Sequence, residues 1–274
     1  MRRDALVDQG VTSEAYFAYD GDRFIPSRFA KGGWGESLSG HVVGGLLGWA
    51  VEGAVDDPEW QPARLTVDLP RPTALEPIEV RTRVLRDGRR LRLVEATLNQ
   101  RGTEVARASA LFLRRCEQPA GEVWSQEVSM PPIPPEEEVA DAALFVRTYG
   151  WGAPVQNPES GWVGETGAKY TWLHLVQQLV DGQPLTAFTR AAMAGDITAS
   201  LANWGTGGLE FINADYTVTL SRLPEGPVLG LASHSHYSDA GVATGSATLV
   251  DARGPVGTCV AVALAHSGFR PPSP

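Results

Sequence analysis

The chain has 274 residues, 43% hydrophobic and 20% charged, enough apolar content to build a substantial core and too much to remain disordered. A net charge of -9 disfavours nucleic acid and anionic membrane as partners, since both select positive surfaces. No run of about 18 apolar residues exists to span a bilayer, and Met1-Arg2-Arg3-Asp4 is not followed by the apolar stretch of a secretory leader.

In chain order, a short strand at 22–27 precedes a helix that starts after Ser39, a good N-cap, with Val42, Leu46 and Ala50 on one face. Gly40, Gly44, Gly45 and Gly48 each cost this helix roughly 0.8–1 kcal/mol against alanine. Such a helix is expected where another backbone or a ligand comes very close. Four strands follow at 63–71, 78–86, 90–100 and 104–114. The turn signals Asp87-Gly88 and Arg101-Gly102 make them an antiparallel meander. Residues 117–160, with Pro131-Pro132-Ile133-Pro134-Pro135 and three glutamates, read as an extended linker. A strand at 169–177, a helix at 185–203 and strands at 209–220, 228–237, 242–250 and 256–265 complete the chain.

The second half repeats the first. A shift of 151 residues lays Leu65-Thr66-Val67 on Tyr216-Thr217-Val218, Ala96-Thr97-Leu98 on Ala247-Thr248-Leu249, and Gly44 on Gly195, without a gap. Such a period is too long for a solenoid repeat. It predicts an α+β fold in which one helix-plus-sheet unit occurs twice, at 1–116 and 161–274. The copies differ at one telling place, where Gly45 becomes Asp196.

Asp196 lies mid-helix among small apolar residues, where a carboxylate needs partners or a raised pKa. In Asp215-Tyr216-Thr217, strand alternation puts Asp215 and Thr217 on one face and Tyr216 on the other. Arg81, Arg83, Arg86, Arg89, Arg90 and Arg92 crowd one hairpin, either as a solvated sheet face or as a landing site for phosphates. His234 and His236 share a strand face but lack a third ligand, so no metal site is expected. Cys116 and Cys259 read as reduced thiols of a cytoplasmic protein.

Over nearly its whole length outside the linker, the chain resembles the acyl-CoA thioesterase II group of double-hotdog thioesterases. Ser39-Gly40-His41-Val42-Val43-Gly44 resembles that family's GGQVVGQAL helix. Arg86-Asp87-Gly88 resembles its RDG hairpin, and Ala191-Ala192-Met193-Ala194-Gly195-Asp196 its helix ending in the catalytic aspartate. Asp215-Tyr216-Thr217 is similar to its aspartate-histidine-serine/threonine motif, with Tyr216 in the histidine position. The resemblance implies a tandem double hotdog that hydrolyses fatty acyl-CoA without a cofactor. Asp196 and Thr217 would be catalytic, and Gly44, Gly45, Tyr216 and Trp204 would lie along the substrate. The family's third residue, a glutamine of the last strand, falls on Ala261. Its absence leaves open a catalytically weak acyl-CoA-binding protein. A hotdog hydratase is disfavoured, because Leu201 stands where its histidine would follow Asp196. Open sheet edges would allow a homo-oligomer.

Overall fold

The computed structural model describes residues 14–150, 153–154 and 167–270. Met1 to Asp4 and the end of the 117–160 segment lie outside the described residues. The first half contains β1 (Phe17–Tyr19), β2 (Phe24–Pro26), α1 (Gly40–Gly53), β3 (Trp60–Asp68), β4 (Glu79–Asp87), β5 (Leu91–Gln100) and β6 (Thr103–Arg114). Next come α2 (Glu136–Asp141), β7 (Phe145–Gly150), β8 (Ala153–Pro154) and β9 (Lys169–His174). The second half holds α3 (Ala187–Asn203), β10 (Trp204–Gly205), β11 (Gly208–Leu209), β12 (Phe211–Asn213), β13 (Asp215–Leu220), β14 (Val228–Asp239), β15 (Val242–Asp251) and β16 (Gly254–Ala265). Among the described residues, no helix is long and apolar enough to cross a membrane.

One twelve-stranded sheet runs through both halves in the order β4-β5-β6-β3-β13-β16-β15-β14-β9-β7-β8, with β12 also paired to β16. The halves meet where β3 pairs antiparallel with β13, and Thr66 lies opposite Thr217. Those two threonines are 151 residues apart, and their hydroxyls hydrogen-bond at 2.9 Å. The sequence repeat is therefore a local two-fold relation, with its axis between two equivalent residues. Leu65 and Val67 alternate inward and are fully buried. At the β5–β6 turn, Arg101 (φ 51°) and Gly102 (φ 75°) are both left-handed, which suits the tight hairpin foreseen there.

Inside the sheet, α1 and α3 pack directly on each other, and the glycines explain how. An added Cβ at Gly48 would stand 2.8 Å from Ala192 Cβ, and one at Gly45 only 2.6 Å from Met193 Cγ. A Cβ at Gly44 would overlap the hydroxyl of Tyr216. The close approach needed to justify these glycines comes from protein, not from a ligand.

The 117–160 segment departs from a simple extended linker. Its proline run stays irregular and caps the second half, where Trp172 Nε1 donates to Pro131 O at 3.0 Å. Glu136, Glu137 and Glu138 open α2, favoured there by the helix dipole. Phe145–Gly150 then pairs with β9 and extends the sheet, since it carries Phe145, Val146, Thr148 and Tyr149, residues suited to strands.

Candidate active site

Asp196 sits on α3 with only 8% of its surface exposed. Its Oδ1 accepts a hydrogen bond from Asn213 Nδ2 at 2.8 Å, and the backbone N–H of His41 also donates to the carboxylate. An added Cβ at Gly40 would run into the same carboxylate, so glycine is required there. The carboxylate thus lies against the N-terminus of α1, where free N–H groups and the helix dipole favour negative charge. Burial nevertheless dominates, pushing the Asp196 pKa up to about 6, with the Asn213 and His41 hydrogen bonds acting the other way.

This arrangement alters the role foreseen for Ser39. Its backbone has the N-cap conformation, but its hydroxyl makes no cap bond and lies 2.6 Å from His41 Nδ1 instead. Asp196, from the other half of the chain, takes the α1 N–H that Ser39 would have capped. His41 is itself buried, with its pKa pushed down to about 4 by burial. Its Nε2 has no hydrogen-bond partner among the described residues.

Thr217 does not join this group. It faces away from the helices, paired with Thr66. Tyr216, its neighbour, points inward, is fully buried, and donates its hydroxyl to Ala192 O at 2.8 Å. The residue that reaches Asp196 is Asn213, four positions earlier. Alternation alone would put Asn213 on the same face as Thr217. A one-residue bulge intervenes: Asn213 lies opposite Ala263, whereas Thr217 lies opposite Val260, so four steps on one strand match three on the other. Asp215 supports the bulge by accepting the Val262 N–H at 2.8 Å.

The other sequence-derived positions fall as follows. Gly44, Gly45 and Tyr216 are buried, with Gly44 against the Tyr216 hydroxyl and Gly45 against Met193. Trp204 caps the end of α3 and meets the Phe269 ring edge-on at 5.4 Å. Phe269 also contacts Trp34, just before α1, so an aromatic cluster bridges the two helices' approaches. Ala261 lies opposite Gly245, where a Cβ would crowd Ala202 of α3. Gly245 thus allows the close approach of α3 to the sheet, and Ala261 beside it is buried. Cross-strand from Asn213 stands Ala263, also buried.

Residues 31–113 match the family model for the acyl-CoA thioesterase N-terminal domain, a segment that contains α1 and the strands sheltering it. Over that segment the chain is similar to acyl-CoA thioesterases of the hotdog type. Solved structures agree in fold. The tesB protein of Mycobacterium avium subs paratuberculosis is 18% identical with a TM-score of 0.62, over 91% of this chain and 93% of that one. An acyl-CoA thioesterase II, TesB2, from Mycobacterium marinum is 19% identical with a TM-score of 0.58, over 86% and 92%. A conserved hot dog protein of unknown function from Alicyclobacillus acidocaldarius gives 18% and 0.61, over 94% and 96%. At these identities the likeness is one of fold. No curated protein matches the chain. The site departs from the trio that the sequence resemblance implies, with Asn213 rather than a hydroxyl beside Asp196 and Ala261 in the glutamine position.

Proposed function

We propose that this thioesterase II-like hotdog chain is a tandem double hotdog, with units at 1–116 and 161–274 joined through 117–160, that hydrolyses fatty acyl-CoA. The observation that carries the reading is the Asp196 carboxylate, buried yet held by Asn213 and the α1 N-terminus. A carboxylate with a pKa near 6 is ionised at neutral pH and still basic enough to take a proton, the compromise general-base catalysis favours.

In the proposed reaction, Asp196 accepts a proton from water as the water oxygen bonds to the thioester carbonyl carbon. The carbonyl π electrons move onto its oxygen. When they return, the carbon–sulfur bond breaks, its electron pair leaves on sulfur, and Asp196 returns the proton to the thiolate. The products are the free acid and CoA, and the step needs only a base and water. Asn213 acts as a positioning residue, holding the carboxylate through Oδ1.

One observation favours the second reading, a weak or non-hydrolytic acyl-CoA binder. Both Ala261 and Ala263 lack an amide that could hold the attacking water. The pH dependence of thiol release separates the two. The thioesterase reading predicts that kcat falls below about pH 6 as Asp196 protonates. It also predicts that Asn213→Ala moves this limb to higher pH, because it removes a bond that lowers the Asp196 pKa. A limb that stays put in Asn213→Ala removes Asp196 as the base, and no thiol release with any chain length supports the binder.

A further inference from the structure

The hairpin joining β4 to β5 carries positive charge that no carboxylate among the described residues pairs with. Elsewhere on these strands each arginine has a carboxylate: Arg81 bonds Glu79 at 3.0 Å, Arg83 bonds Glu95 at 3.1 Å, and Arg92 bonds Asp87 at 2.7 Å. Nearby carboxylates are also taken, Asp57 by Arg92 and Glu59 by Arg114. Arg86, Arg89 and Arg90 have no carboxylate partner among the described residues. Together with Gly88, Leu91 and Leu113 they line a surface cavity of about 750 Å³, within the size range of small-molecule sites. Three uncompensated guanidinium groups around one cavity repel each other, and in a chain of net charge -9 they stand out as the local excess.

We propose that this hairpin cavity binds the phosphorylated end of a nucleotide, either the tail of CoA or a free nucleotide. Guanidinium forks pair bidentately with phosphate oxygens and stack on planar bases, while Leu91 and Leu113 supply an apolar floor. The cavity is separate from the Asp196 site. The hairpin lies at the Trp60 end of β3, where Leu91 and Leu113 pair, and Asp196 at its Asp68 end. Eight residues of strand rise put the two about 26 Å apart along the sheet. The inference takes only its probe from the proposed thioesterase reading, and binding is measurable whether or not Asp196 is catalytic.

The test is calorimetric titration of the full chain with adenosine 3′,5′-bisphosphate and with CoA. The proposal expects binding of both, weakened at least tenfold in the triple variant Arg86→Ala/Arg89→Ala/Arg90→Ala, whose residues are exposed and carry no ion pair among the described residues. Asp196→Asn should bind like wild type, and the control Arg81→Ala/Arg83→Ala, which removes paired arginines, should stay within twofold. A higher KM for acyl-CoA but not for acyl-pantetheine in the triple variant identifies the ligand as the CoA tail. An unchanged KM with lost nucleotide binding identifies it as a free nucleotide. Absence of binding by wild type, equal binding by the triple variant, or an equal loss in the control pair overturns the proposal.

Discussion

Asp196 is costly to the fold because burial opposes its charge more strongly than Asn213 and the α1 terminus favour it. The raised pKa fixes the sign of its effect. Below pH 3.8 the carboxyl is protonated in both folded and unfolded chains and costs nothing. As pH rises through about 6 the folded form must ionise a buried group, and that stability is lost. A shift of roughly two units corresponds to about 3 kcal/mol. Asp196→Asn, which keeps an oxygen to accept from His41, should therefore raise stability by about 3 kcal/mol at pH 8 and by little at pH 4. Urea unfolding of both proteins at the two pH values checks this. A less stable variant at pH 8 would make the carboxylate a structural cap rather than a destabilised functional group. The acid loss from His41, whose pKa is pushed down to about 4, is common to both proteins and cancels. Asp196 was legible in the sequence because a charge among small apolar residues on a helix has few explanations. Asn213 was not, since a bulge that depends on Asp215 reaching Val262 N–H breaks the alternation from which its direction was read.

At the level of elements, Tyr216 is the wedge between α1 and α3. Its ring lies against Gly44 on one helix and Gly195 on the other, and its hydroxyl satisfies Ala192 O. Burial holds its pKa well above the ordinary phenol value, so it remains a neutral hydrogen-bond donor. Gly44→Ala should cost about 3 kcal/mol by overpacking, and Tyr216→Phe about 1 kcal/mol for the lost hydrogen bond. Removing the hydroxyl also removes the atom the new methyl would strike. The double variant should therefore lose at least about 1 kcal/mol less than the sum, measured as a double-mutant cycle. Strict additivity would mean that Gly44 is conformational rather than a packing residue. The glycine-rich helix signalled a close neighbour in the sequence, but not which one. A ligand and a tyrosine wedge 172 residues away leave the same local pattern.

Across the whole molecule, the two-fold relation through Thr66 and Thr217 relates the halves where β3 meets β13, and the residues at matching positions differ. In the first copy Gly45 occupies the place of Asp196, and Met193 fills the space above it. Pro62 occupies the place of Asn213, and Phe112, packed on Phe188 at 6.1 Å, that of Ala263. One half of the repeat is plugged as core, and the other keeps the carboxylate. The repeat, the meanders and the existence of two long helices were legible because each rests on periodicity that no tertiary contact overrides. The strand Phe145–Gly150 was not, because the prolines before it read as linker and its pairing with β9 is non-local. The central claim, that Asp196 held by Asn213 performs thioester hydrolysis and Thr217 does not, is tested most directly by steady-state thiol release from medium-chain acyl-CoA. Wild type, Asp196→Asn and Thr217→Val are compared at neutral pH. The account predicts that Asp196→Asn lowers kcat on the order of a hundredfold or more, while Thr217→Val stays within about twofold, as expected of a residue paired with Thr66 away from the site. A wild-type rate unchanged in Asp196→Asn, or one abolished in Thr217→Val, would contradict it.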